Sequence, residues 1–410
     1  MKYYSVFFAL PLLLLTDAPA LSSVGWPGAV LLVLALLFGG ARRGLSQIYI
    51  NSYRFAQQVV AGFPAWDKVG YDTTDIHTTL DEIDLLGSSQ TSTVSTFGTV
   101  AAGNGKYIGG VLATNGKIYC VPIDAQNILE IDPATGNTST FGAPGTATGK
   151  WIGGVLATNG KIYCAPHSVT NVLVIDPTNN TISTFSAGAI GIQAYWGAVM
   201  ANNDKIYCIP NNASAVLIID PSTNSANNTV ITGLATGNKY QGGVLGPNGK
   251  IYCIPQDATA ILVIDPSNDT WSTFGSFTGT GKWSGGVLAS NGKIYGIPNS
   301  RTNILEIDPN TNTASTFGTV SSPWRGGVLG PNGKIYGIPL SNTAVLELDP
   351  VTKNTTTFGA LGTGNKWIGG VLAPNGKIYG VPFNQTNVLE ILTSFTVDDD
   401  FPLSRLFNKY

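Results

Sequence analysis

Seven aromatic residues recur at nearly equal spacing: Tyr107, Trp151, Tyr195, Tyr240, Trp283, Trp324 and Trp367. A lysine stands directly before five of them, as Lys106, Lys150, Lys239, Lys282 and Lys366. A cation beside an aromatic ring can grip a sugar face, an anion or a peptide. The same ring can instead wedge between packed sheets, because aromatic side chains bury large apolar areas. We expect the tryptophans to be wedges and the lysines to form an exposed rim. His167 and Arg301 belong to the same region and join the candidate ligand-binding set, although each alone is an ordinary loop residue.

Other residue types that carry chemistry are sparse. No Gly-x-Ser-x-Gly motif and no His-based metal motif occurs, and His77 has no partner His or Cys at ligand spacing. No catalytic residue, metal site or cofactor is expected. The four cysteines, Cys120, Cys164, Cys208 and Cys253, occupy one position of a repeat. Equivalent positions on adjacent units lie beyond disulfide reach, so four free, buried thiols are expected. The later copies hold Gly296, Gly337 and Gly380 there, which marks a slot for a small residue.

The elements that position these residues follow from that repeat. The lysine of the Lys-Ile-Tyr core recurs at 117, 161, 205, 250, 293, 334 and 377, in steps of 41 to 45 residues. Each copy holds four short apolar runs divided by turn signals, the pattern of a propeller blade. Asn-Gly joins the first and second runs, and Asp-Pro-x-x-Asn joins the third and fourth. Both are turn formers with local hydrogen-bonding mechanisms. The seventh copy lacks the Asp-Pro turn, with Thr-Ser-Phe at 393–395 as a weak fourth strand. An unpaired strand, TSTVSTFG at 91–98, precedes the first copy. Closing the ring through that early strand removes an exposed edge. The expected fold is all-β: a seven-bladed propeller of four-stranded blades, closed by an N-terminal strand and preceded by a hydrophobic targeting segment.

The NGKIYGIP and EIDPNTNTASTF stretches resemble the kelch repeat, and the Asn- and Asp-rich turns are similar to those of YVTN-type and virginiamycin-lyase-type propellers. The paired glycines, Gly153 and Gly154 for example, sit in the first strand and not at the end of the second, unlike kelch. The resemblance implies the architecture and assigns no functional residue.

Outside the repeats, residues 1–43 carry two apolar runs. Ala18-Pro19-Ala20 resembles a signal-peptidase site, and Arg42-Arg43 closes the second run. They are expected to form a signal peptide, a membrane anchor or both, with a bipartite organelle presequence as the third reading. Residues 44–90 are expected to be a linker with short helices, 91–395 the propeller and 396–410 a tail. Membrane association through the N-terminal segment is expected, with the side open. The chain is 410 residues long with a formal net charge of −2, and no basic stripe argues for nucleic acid.

Comparing the copies separates scaffold from surface. The first-to-second and third-to-fourth turns are nearly constant and share one face. The second-to-third loops, such as 123–127, 167–171 and 383–387, vary and share the opposite face with the links between blades. Variable loops on a rigid scaffold are where binding sits. Two functions compete: a non-catalytic, membrane-associated module that engages a protein or glycan by the variable face, or a propeller lyase, lactonase or hydrolase acting at the channel mouth. Inner strands reading Gly-Gly-Val-Leu, without carboxylate or histidine, favour the first.

Overall fold

The computed structural model describes residues 91–394. The signal-peptide, anchor, linker and tail readings, with His77 among them, lie outside the described residues. Among the described residues no helix is long and apolar enough to cross a membrane. Twenty-eight strands, β1 to β28, form seven antiparallel sheets of four. Blade 1 runs from β2 (Tyr107–Leu112) through β3 (Ile118–Pro122) and β4 (Ile128–Asp132) to β5 (Asn137–Phe141), and blades 2 to 6 repeat that order.

Blade 7 is completed as the sequence requires. Strand β1 (Thr93–Phe97) pairs antiparallel with β28 (Val388–Leu392), in register from Thr93 opposite Leu392 to Phe97 opposite Val388. Thr393 and Ser394 form no strand. Instead Asn332 Nδ2 donates to the Ser394 carbonyl at 2.7 Å, where the other blades offer a proline carbonyl.

That contact belongs to a ring of clasps on the turn face. In the other six blades the asparagine of the first-to-second turn donates to the proline carbonyl of the next blade's Asp-Pro turn. Asn115 reaches Pro177 at 3.2 Å, Asn248 reaches Pro309 at 2.9 Å, and Asn375 reaches back to Pro133 at 3.0 Å. The same amide donates to the buried tyrosine of the second strand, as Asn115 does to Tyr119 Oη at 2.9 Å. The turns are preset for this. Asp132 Oδ1 accepts the amides of Ala134 and Thr135, and Asn312 adopts a left-handed φ of 51°. The constancy of these turns therefore has two causes, local turn geometry and a bond to the neighbouring blade.

The core lies between blades. Trp151 packs with Tyr119 and Ile128 of blade 1 and with Cys164 and Leu173 of its own blade. Trp324 does the same between blades 5 and 6, with Ile297 and Leu346. The four cysteines are buried and unpaired, and burial pushes their thiols up. A Cβ placed on Gly296 would lie 3.1 Å from Leu305 Cβ, which shows how little room that slot leaves.

Candidate functional site

The first strands stand side by side around the axis: β2, then β6 (Trp151–Leu156), β10 (Tyr195–Met200), β14 (Tyr240–Leu245), β18 (Trp283–Leu288), β22 (Trp324–Leu329) and β26 (Trp367–Leu372). Each carries a bulge. In blade 1, Tyr107 pairs with Pro122 and Gly110 with Cys120, so Ile108 and Gly109 face Val121 alone. Gly109 has a φ of 80°, and a Cβ on it would lie 3.1 Å from Gly153 Cα. Glycine is required there by conformation and by the close approach of the next inner strand. The bulge turns the aromatic residue into the blade interface and its successor towards the axis.

That successor and the residue after the second-strand proline line the channel mouth. The successors are Ile108, Ile152, Trp196, Gln241, Ser284, Arg325 and Ile368; the post-proline residues are Ile123, His167, Asn211, Gln256, Asn299, Leu340 and Phe383. Residues from distant blades meet here, which places them on the axis. Ile108, Ile152, Ile368 and Leu340 form one cluster with Ile123, Trp196 and Phe383 against it. Arg325 of blade 6 lies over the ring of Trp196 in blade 3, 5.7 Å from its centroid. Blades 6, 7, 1 and 2 thus supply an apolar arc, with Leu340 from blade 6, and blades 2 to 6 carry the polar groups.

The polar arc is only partly satisfied. Arg325 Nε donates to Asn299 Oδ1 at 3.2 Å, and burial holds the guanidinium below its ordinary value. His167 donates from Nδ1 to the Tyr195 carbonyl at 3.0 Å and sits edge-on to Trp196. Burial lowers the His167 pKa against the opposing pull of that carbonyl and of Asp124, so the ring is neutral at pH 7. Three amide oxygens, Asn211 Oδ1, Gln241 Oε1 and Gln256 Oε1, are buried with no donor among the described residues. Asn171, Asn303 and Asn387 also keep an unpartnered oxygen, at the start of third strands. There a tryptophan replaces tyrosine as the wedge. Trp151 Nε1 bonds the Asn171 carbonyl, whereas in blade 1 the Tyr107 hydroxyl reaches the Asn127 amide oxygen.

The lysines do not form an exposed rim. Lys106, Lys150, Lys239, Lys282 and Lys366 are all buried. Each ammonium folds back onto carbonyls of its own face: Lys150 onto Ala147 at 2.7 Å, Lys282 onto Gly279 at 2.7 Å and Lys366 onto Gly364 at 3.1 Å. Lys106 bonds Gly103 and Gln385, and Lys239 bonds Asn211 and Ala213. In five blades, carbonyls of the link before the inner strand or of a neighbouring second-to-third loop need donors, and a lysine supplies them. Burial lowers all five, and Lys239 falls to about 8.

The seven aromatics, Tyr107, Trp151, Tyr195, Tyr240, Trp283, Trp324 and Trp367, are buried at blade interfaces, one residue away from the axis. Arg301 lies over Trp283 at 5.9 Å and donates to the Thr278 carbonyl. Of the sequence-derived set, His167 lines the mouth. Asn211 opens one of the variable second-to-third loops, 211–215, whereas Trp196, Gln241 and Arg325 were missed. The available signal was variability inside an otherwise constant strand, at the residue after each aromatic.

No family model and no curated protein matches the sequence. Solved structures match in fold. Virginiamycin B lyase from Staphylococcus aureus, in complex with quinupristin, superposes with a TM-score of 0.63 at 12% identity, over 73% of this chain and 99% of that one. Hydrazine synthase from Kuenenia stuttgartiensis gives 0.55 at 12% identity, over 73% of this chain and 98% of that chain. The extracellular domain of a hybrid two component system from B. thetaiotaomicron gives 0.56 at 10% identity, over 75% of this chain and 44% of that one. At such identities the likeness shows the propeller fold alone.

Proposed function

We propose that this chain is a non-catalytic binding propeller, held at a membrane by its N-terminal apolar runs, that seats a protein or glycan over the channel mouth on its variable-loop face. The observation that supports this reading is the set of unpartnered amide oxygens on Asn211, Gln241 and Gln256, on the same face of the ring as the Trp196–Arg325 pair. A buried acceptor without a donor costs about 1–3 kcal/mol. At a channel mouth the missing donor is supplied by water or by a ligand that displaces it. The fold neighbours include an extracellular domain of a two component system and a lyase seen with quinupristin, so the shape by itself does not choose between the two classes.

A second reading, an enzyme of the lyase, lactonase or hydrolase kind, draws on His167. With Nδ1–H tied to the Tyr195 carbonyl, Nε2 is the lone-pair nitrogen and suits a general base. Thermal-shift screening of the full chain against peptide and oligosaccharide pools separates the outcomes. Ligands that raise the parent's Tm, but not that of Gln241→Leu, support the mouth as the site. Turnover of the bound compound that disappears in His167→Ala would move the protein to the enzyme class, as would stoichiometric divalent metal in elemental analysis. A shift untouched by any mouth variant would place the site elsewhere.

A further inference from the structure

We infer that the mouth recognises the carboxyl-terminal end of a peptide, an inference that rests on the mouth being the binding site. The first support is charge. The ion pairs among the described residues join lysines to acids of the third strands: Lys117 with Glu130, Lys161 with Asp176, Lys250 with Asp265, Lys334 with Glu347, Lys377 with Glu390, and both Lys293 and Lys353 with Glu306. No such pair includes Arg325 or any buried lysine of the mouth face. The acids of the mouth-face loops are Asp124 and Asp257, and each already accepts a backbone amide, from Gly149 at 2.7 Å and from Gly281 at 2.7 Å. Cations therefore outnumber acids on this face, although the chain as a whole is slightly negative. An anion is drawn to such a mouth.

The second support is the shape of the receiving group. Arg325 is held from Nε by Asn299, and its guanidinium carbon lies over the Trp196 ring at 5.7 Å from the centroid, so the bond and the cation–π contact restrict where the terminal nitrogens lie. The terminal nitrogens of a planar guanidinium form the fork that takes a carboxylate with two parallel bonds. The third support is what surrounds the fork. The unpartnered oxygens on Asn211 and Gln241 are acceptors for N–H donors, and the partly exposed Ile123 and Phe383 at the edge of the apolar cluster offer contact to an apolar side chain. A peptide terminus carries all three features within two residues: a carboxylate, backbone N–H groups and a side chain. A neutral sugar offers donors but no anion and no branched apolar group, and the Trp196 face on which it would stack already holds Arg325.

The test uses three probes on the full chain, followed by titration calorimetry. They are a pool of N-acetylated tripeptides ending in leucine, valine or phenylalanine with a free carboxylate, the same pool amidated at that end, and a pool of neutral oligosaccharides. The carboxylate pool is expected to bind about tenfold or more tighter than the amidated pool, and to weaken as salt rises. Arg325→Gln should bring that ratio to about one, and Arg325→Lys, which keeps charge and loses the fork, should fall between. Equal binding of the two peptide pools, or an unchanged ratio in folded Arg325→Gln, overturns the inference. Oligosaccharide binding that Gln241→Leu abolishes, with peptides silent, overturns the inference and leaves the mouth as the site. Peptide binding indifferent to Gln241→Leu and Arg325→Gln, or no binding by any pool, overturns both.

Discussion

The two faces of the ring are built from the same seven copies and differ in how they spend polar groups. On the turn face the clasp repeats all the way round, from Asn115 with Pro177 to Asn375 with Pro133. Among the described residues its Lys-Ile-Tyr lysines are paired with acids in every blade but the third, as Lys117 is with Glu130 at 2.7 Å, and Lys205 is the exception. On the mouth face the equivalent positions diverge from blade to blade, amide oxygens lack donors, and cations are held by carbonyls without carboxylate partners. Repetition on one face carries closure of the ring; departure from repetition on the other leaves groups that folding alone does not satisfy. Stability and binding are separable by face, and variants can break that separation or sharpen it.

The largest effect is expected from the seam that both faces share. Removing residues 91–98 strips β1 from blade 7 and exposes the edge of β28 along the five-residue register that joins them. Denaturant titration should show a broad, weakly cooperative transition with aggregation. A sharp parental transition would refute closure through this strand.

Next in size is the wedge. Trp151 is 2% exposed within the blade 1–blade 2 core, and Trp151→Ala should cost about 3–5 kcal/mol. Chemical denaturation measures this directly. Loss of ligand binding at unchanged stability would instead put the aromatics at the site.

Much of this was legible in the chain. Period, strand character and turn chemistry led to seven blades, and the missing Asp-Pro turn in the last copy pointed to the early strand. The tryptophan wedges followed from size. The mouth was not legible, because a bulge at Ile108–Gly109 moves the alternation of side chains by one residue. A simple two-residue period therefore places the aromatic at the axis and hides its neighbour. The lysines misled for another reason. Their type and spacing fit a solvated rim, and only the fold brings carbonyls such as those of Ala147 and Gly279 within reach.

A smaller effect concerns Lys239. Burial lowers its folded pKa to about 8, below the unfolded value near 10.4. Between those values the unfolded chain holds more protons, so this residue's contribution to stability rises as pH goes up through 8 and is flat below it. Lys239→Met should remove that rise. The informative quantity is the difference in melting temperature between parent and variant from pH 7 to 9.5. A difference that does not change with pH would mean Lys239 is not strained by its burial.

The most direct measurement sets matched variants from the two faces side by side in one denaturation series. Asn291 clasps Pro350 and Tyr295 on the turn face, with bonds of 3.3 and 2.9 Å, and Asn291→Ala should destabilise by about 1–2 kcal/mol. Asn211→Leu combined with Gln241→Leu replaces unpartnered mouth amides by apolar groups of similar size. The account predicts that this double variant melts at or above the parent temperature. A double variant as destabilised as Asn291→Ala would mean that the mouth amides hold the fold together, and the division between the two faces would be wrong.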